Sequence, residues 1–268
     1  MPLWKKGLLG VVAIAVVGLL AFQFLPSDTP SAKESRPEVI SQSNAQPETA
    51  TVEPSKSEES AIEEESAPIQ ANQKVFKEGE HYRTLDKPVQ TDVEKTQVEV
   101  ADVFWYGCPH CYNLEPIVSA WKKTLAPDVI VVRRPGFFTS NIWQSHAQLY
   151  YTIRNMGIED KVHQGIFNEI HNNKNYLADP ETMANFLSDQ YGVDKQEFLD
   201  QFNSFGVSHQ LQKSFAQLKG YELTGVPALI IDGRYVIEAG MASSLGEMTE
   251  IADFLVQKAK KERAAKAG

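Results

Sequence analysis

The sequence predicts an α/β fold over residues 74–268, and three observations carry that prediction. Val98 to Tyr106 is a strand that is apolar on both faces, with Val98, Val100 and Phe104 on one side and Ala101, Val103 and Trp105 on the other. Strands buried on both sides belong inside α/β sheets. A long helical stretch follows, from about Ile142 to Leu218. Ala228 to Ile237 then reads as a hairpin whose two-residue turn is Asp232-Gly233, a pair that accepts the left-handed backbone such turns require.

Two segments precede this region. Gly7 to Leu25 is a run whose only polar side chain is Gln23. As a helix it would span roughly 28 Å, close to a bilayer core. Lys5 and Lys6 place its N-terminal end in the cytoplasm. The leading reading of residues 1–25 is therefore a retained transmembrane anchor, and a cleaved signal segment is the alternative, which leaves the rest soluble in the periplasm. No A-x-A cleavage pattern stands near its end. Residues 26–73 contain no Phe, Tyr or Trp and carry ten acids against three bases. Such a composition cannot bury enough apolar surface to order itself, so it predicts a disordered acidic linker. Its r.m.s. reach would be about 40 Å.

Within residues 74–268 the remaining elements follow from local signals. Ile130-Val131-Val132 reads as a second strand, and Tyr112 to Leu125 as a helix. Inside the helical stretch, Asp179-Pro180 is an N-cap followed by proline, and Asp194 with Glu197 resembles a capping box. Met248, Ile251, Ala252, Leu255 and Val256 form the apolar face of a last helix. The chain has 35 acids and 26 bases, a net charge of −9 and a pI near 5.2. That balance excludes a nucleic-acid binder, which needs a basic face. Two cysteines in 268 residues exclude a disulfide-stapled scaffold and a four-cysteine zinc site.

Both cysteines stand together as Cys108-Pro109-His110-Cys111, between the buried strand and the helix. A strand running into a helix there places the Cys108 sulfur at the helix N-terminus, where unpaired N–H groups and the dipole favour a thiolate. A protonated His110 adds positive charge to the same anion. The spacing puts the two sulfurs within disulfide reach, so a redox dithiol is the reading. The alternatives are weaker. His81, His146, His163, His171 and His209 show no zinc-knuckle spacing, Tyr112 stands where a c-type haem needs histidine, and a structural disulfide closing so short a loop stabilises little. No cofactor is called for.

The run Phe104-Trp105-Tyr106-Gly107-Cys108-Pro109-His110-Cys111-Tyr112-Asn113-Leu114-Glu115-Pro116 resembles the active-site signature of bacterial periplasmic thiol:disulfide interchange proteins of the DsbA family. Thr224-Gly225-Val226-Pro227-Ala228 resembles the family's cis-proline loop, and Asp232-Gly233-Arg234-Tyr235 the hairpin after it. The resemblance covers about residues 75–268. It implies a thioredoxin-like fold with a helical domain inserted at about 140–220. It further implies that Cys108 is the exposed nucleophile, Cys111 the buried partner, and Pro109 and His110 the dipeptide that tunes the couple. The Val226-Pro227 peptide, trans by default from the residues alone, becomes cis by resemblance, and its backbone is expected to receive an extended substrate chain.

Asp102, six residues before Cys108, sits in the doubly apolar strand and is expected to be buried. The family assigns an acid at this position to proton transfer with the buried cysteine; the alternative is a strand-end aspartate reaching solvent. Trp105, Tyr106, Phe137, Phe138 and Trp143 read mostly as core or rim, some lining an apolar patch beside Cys108. The function expected is a protein dithiol oxidase that introduces disulfides into folding exported proteins with free thiols. Its expected location is the periplasm, tethered to the inner membrane by residues 7–25, with reoxidation by a DsbB-like quinone-linked membrane oxidase. The rival readings are a disulfide isomerase or reductase, or a redox-inactive client-binding chaperone.

Overall fold

A computed structural model describes residues 74–138 and 141–267. The anchor and linker expected over residues 1–25 and 26–73 lie outside the described residues. In chain order the elements are β1 (Arg83–Thr84), β2 (Val98–Phe104), α1 (Pro109–Lys122), β3 (Val129–Pro135), α2 (Ile142–Asn155), α3 (Glu159–His171), α4 (Pro180–Tyr191), α5 (Lys195–Phe202), α6 (Phe205–Tyr221), β4 (Ala228–Ile231), β5 (Tyr235–Glu238), a 3-10 turn (Ala239–Met241) and α7 (Leu245–Ala267). None of the helices among the described residues is long and apolar enough to cross a membrane.

Five strands form one sheet in the order β1-β5-β4-β2-β3. β2 pairs parallel with β3 and antiparallel with β4, and β4 pairs antiparallel with β5. Strand β2 alternates as its sequence dictates. Val98 and Val100 pack with Leu229, Ile231 and Ile237 against α1 and α7, where Met248, Ile251, Ala252 and Leu255 are fully buried. Ala101 and Val103 face the other way, with Phe137, Ala147, Leu218 and Tyr221. Each buried Val, Leu, Ile or Met side chain among these contributes about 1.5–3 kcal/mol.

The predicted helical stretch is five helices, α2 to α6, inserted between β3 and β4. Asp179 caps α4 by accepting the Thr182 N–H at 2.9 Å, and Asp194 caps α5 by accepting the Glu197 N–H at 2.8 Å. The hairpin forms where Asp-Gly predicts it. Asp232 and Gly233 have φ values of 57° and 63°, the left-handed pair of a type I′ turn. Strand β2 ends at Phe104, so Trp105 and Tyr106 belong to the turn that leads into the cysteines.

Candidate active site

Cys108 is the N-cap of α1. Its Sγ accepts the Cys111 N–H at 3.4 Å, and Pro109 fills the first helical position, where a missing N–H costs nothing. Both thiols are free and buried in this structure, Cys108 7% and Cys111 2% exposed, so the exposed nucleophile that the resemblance implies is largely covered, because the Cys108 side chain turns in to cap α1; Pro109 and His110 are exposed beside it. Antiparallel pairing of Val103 with Ala228 brings the end of β2 beside the start of β4. The Val226–Pro227 peptide is cis, and the Val226 carbonyl oxygen lies 3.6 Å from Cys108 Sγ. Gly136 opens the space for this loop, since a Cβ there would come within 2.9 Å of Val226 Cγ1. Thr224 pins the loop to β5, donating from N and Oγ1 to Glu238 at 2.8 and 2.7 Å.

The two sulfurs differ in character. A hydrogen bond from the Cys111 thiol, then the N–H groups of Cys111 and His110 and the charge of His110, overcome burial and hold the Cys108 thiol at about 6. Burial, the bond shared with Cys108, the charge on Cys108 and the charge on Asp102 push the Cys111 thiol well above its ordinary value. At neutral pH Cys108 is a thiolate and Cys111 a thiol.

Asp102 is 3% exposed, which excludes the solvent-reaching alternative. It stands opposite Arg133 in the parallel β2–β3 register, on the side of the sheet that faces α1. Burial first, then the Glu115 carboxylate, push its pKa up to about 7, with the Arg133 guanidinium opposing. The carboxyl whose charge bears on the buried thiol thus titrates at neutral pH.

Beneath it runs a charged network. Arg133 donates to Glu115 at 2.6 Å and to Glu159 at 3.0 Å, and Ser119 donates to Glu115 at 2.7 Å. His163 completes it. Burial pushes its pKa down, so it is neutral, with Nε2–H donating to Glu115 at 3.2 Å and Nδ1 accepting from the Tyr106 hydroxyl at 2.7 Å. Against its own burial, the hydrogen bonds from His163 and Ser119 and the Arg133 charge hold the Glu115 carboxyl below the usual carboxylate range. Glu115 stands in the signature run, where nothing marks it as a partner of Arg133, and Arg133, Glu159 and His163 carry no motif in the sequence.

The aromatics divide as core and rim. Tyr106 and Phe137 are buried, Trp105 stacks on Trp143 at 4.0 Å, and Phe138 is 42% exposed with its ring 5.7 Å from that of Trp143. Trp105, Trp143 and Phe138 therefore form one aromatic ledge, of which Trp105 packs against the cluster that holds Cys108. No group of three or more His, Cys, Asp or Glu side chains among the described residues could hold a metal ion.

A reactive cysteine at a helix N-terminus, facing a cis-proline loop and backed by a buried partner thiol, defines a thioredoxin-fold dithiol protein. The DSBA-like thioredoxin domain family matches residues 99–250. The thiol:disulfide interchange protein DsbA of Pseudomonas aeruginosa is 41% identical over 187 residues, covering 70% of this chain and 86% of that protein. Its counterpart in Azotobacter vinelandii is 40% identical over 161 residues, covering 60% of this chain and 74% of that one. The crystal structure of Pseudomonas aeruginosa DsbA superposes with a TM-score of 0.66 at 39% identity, covering 72% of this chain and 97% of that one. The chain belongs to the DsbA family, as a thiol:disulfide oxidoreductase of the disulfide-introducing kind.

Proposed function

We propose that Cys108 and Cys111 are the exchanging pair and that the protein oxidises dithiols of folding exported proteins. The observation that carries this reading is the asymmetry of the two sulfurs, a stabilised thiolate at the helix N-cap beside the Val226 carbonyl and a buried protonated partner. A stabilised Cys108 thiolate favours the reduced protein, which makes the disulfide form a strong oxidant, an effect for which DsbA proteins are themselves the known example.

In the oxidised protein a client thiolate attacks Cys108 Sγ and the Cys108–Cys111 bond breaks. Cys111 leaves with the electron pair and takes a proton, which Asp102 supplies. A second client thiolate then attacks the client sulfur, closing the client disulfide and releasing Cys108 as the thiolate. Pro109 and His110 set the stability of that thiolate. The backbone at Val226 and Pro227 pairs with the extended client chain, while the ledge of Trp105, Trp143 and Phe138 takes apolar side chains. The two electrons gained pass to a DsbB-like quinone-linked membrane oxidase. Residues 7–25 tether the protein to the inner membrane, with residues 26–73 as the linker to residues 74–268.

The test is trapping. Full-length Cys111→Ser, mixed with oxidised glutathione, should hold a stable adduct on Cys108, and Cys108→Ser should hold none at Cys111 on the same timescale. Equal adducts at both positions would overturn the assignment. The glutathione equilibrium should also give a potential well above the thioredoxin value of about −270 mV. A thioredoxin-like potential would make the protein a reductase.

A further inference from the structure

The turn before Cys108 is built from four residues. The Cys108 N–H closes it by donating to the Trp105 carbonyl at 3.0 Å, so the Tyr106–Gly107 peptide is its central plane. Gly107 is required by its neighbour, since a Cβ there would lie 2.4 Å from Trp105 Cζ2, and that indole is itself stacked on Trp143 at 4.0 Å. The requirement has a side effect. Glycine at the third position adopts positive φ at no steric cost, so the central peptide of such a turn is free to flip between type I and type II. In this structure Gly107 stays outside the positive-φ region.

One side chain opposes the flip. His171, the last residue of α3, donates from Nε2 to the Tyr106 carbonyl at 2.8 Å, and a flipped peptide would turn that carbonyl away from it. The same imidazole stacks on Tyr112 at 4.7 Å with an interplanar angle of 8°. Tyr112 follows Cys111 in α1, and its N–H donates to the Cys108 carbonyl at 3.0 Å. A single half-buried ring thus touches the chain on both sides of Cys108-Pro109-His110-Cys111.

We propose that His171 is a positioning residue for the exchanging dithiol: it locks the Tyr106–Gly107 peptide and thereby fixes the α1 N-terminus against the Cys108 sulfur. This rests on Cys108 being the exchanging thiolate. The inserted helices then act on the chemistry through one hydrogen bond as well as by covering the site.

Two full-length variants separate the functions of the ring. His171→Phe keeps a ring against Tyr112 and loses the donor, whereas His171→Gln keeps a donor near the Nε2 position and loses the ring. The readouts are Cys108 thiolate absorbance against pH in the reduced protein and the glutathione equilibrium constant. His171→Phe should move both about threefold to tenfold towards the thiol and the disulfide respectively, the range of one neutral hydrogen bond. His171→Gln should stay within about twofold of wild type, being a rescue by the donor alone. Wild-type values for His171→Phe, or equal shifts in both variants, would overturn the proposal. If His171→Phe fails to fold, His171→Ala carries the same expectation. Cys108→Ser serves as the control: exchange that survives it would refute the site, while lost exchange with a silent His171→Phe would refute the positioning alone.

Discussion

Replacing Asp102 by asparagine should make the protein more stable and slower at once. Asp102 is fully enclosed, and its pKa rises from an ordinary 3.8 to about 7, through burial first and the Glu115 charge second. For a carboxyl raised on folding, the penalty is absent below pH ~4, grows as the unfolded chain ionises, and is complete above pH ~7. Three units at about 1.4 kcal/mol each give about 4 kcal/mol as an upper figure. The asparagine carries no charge to desolvate, so the reduced Asp102→Asn protein should gain about 2–4 kcal/mol at pH 8 and almost nothing at pH 4. Guanidinium unfolding of wild type and variant at pH 4, 6 and 8 measures the gain. The proposed proton delivery to Cys111 would be lost in the same variant, so stopped-flow exchange with a reduced dithiol peptide should slow at least about tenfold. A gain that is equal at pH 4 and pH 8 would refute the raised carboxyl, and an unchanged exchange rate would refute the proton transfer.

Three further outcomes follow from the geometry. Cys108, lowered from 9.0 to about 6, contributes stability to the reduced protein that is complete above pH ~9 and lost as pH falls through about 6. At pH 7 it amounts to about 1.4 kcal/mol, read as wild type minus Cys108→Ser, and a gap that does not shrink at pH 5 would count against the thiolate. Glu115→Gln leaves the Arg133 guanidinium with Glu159 as its remaining carboxylate, and should cost about 2–4 kcal/mol by calorimetry. It should also lower the pH at which Asp102 titrates, followed by carboxyl infrared absorption, because the Glu115 charge no longer repels it. Gly233→Ala forces a side chain onto a φ of 63° and a Cβ 2.0 Å from the Val89 carbonyl, so a loss of at least about 2 kcal/mol is expected in urea unfolding.

Much of this was legible from residue order. The Asp232-Gly233 turn, the caps at Asp179 and Asp194 and the apolar face of α7 are local signals, and local physics decides them. Cys108 and Cys111 declare themselves because no other cysteine competes for the chemistry. Pro227 is different: nothing within Val226-Pro227 dictates a cis bond, and family resemblance supplied it. The charged layer behind the sulfurs was not legible, since Glu115, Arg133, Glu159 and His163 come from α1, β3 and α3 and meet only after packing. Glu99 shows the same limit. The strand reads as apolar on both faces, yet Glu99 is fully buried, bonded to Arg134 at 2.8 Å on the side facing α6. An acid inside an apolar strand is a signal that a buried base exists somewhere, without saying where.

The ladder between β2 and β4 has a consequence for how such chains can diverge. Four residue pairs, Val100–Ile231 to Val103–Ala228, decide how far Cys108 stands from Val226, although the two are 118 positions apart. Everything from α2 to α6 leaves the sheet after β3 and returns at β4 without interrupting that ladder. Helices can therefore lengthen, shorten or exchange their outward residues there while the jaw keeps its gape. Outside the face of α3 that carries Glu159, His163 and His171, the fold separates a fixed bite from a roof that can be remade for a new set of clients.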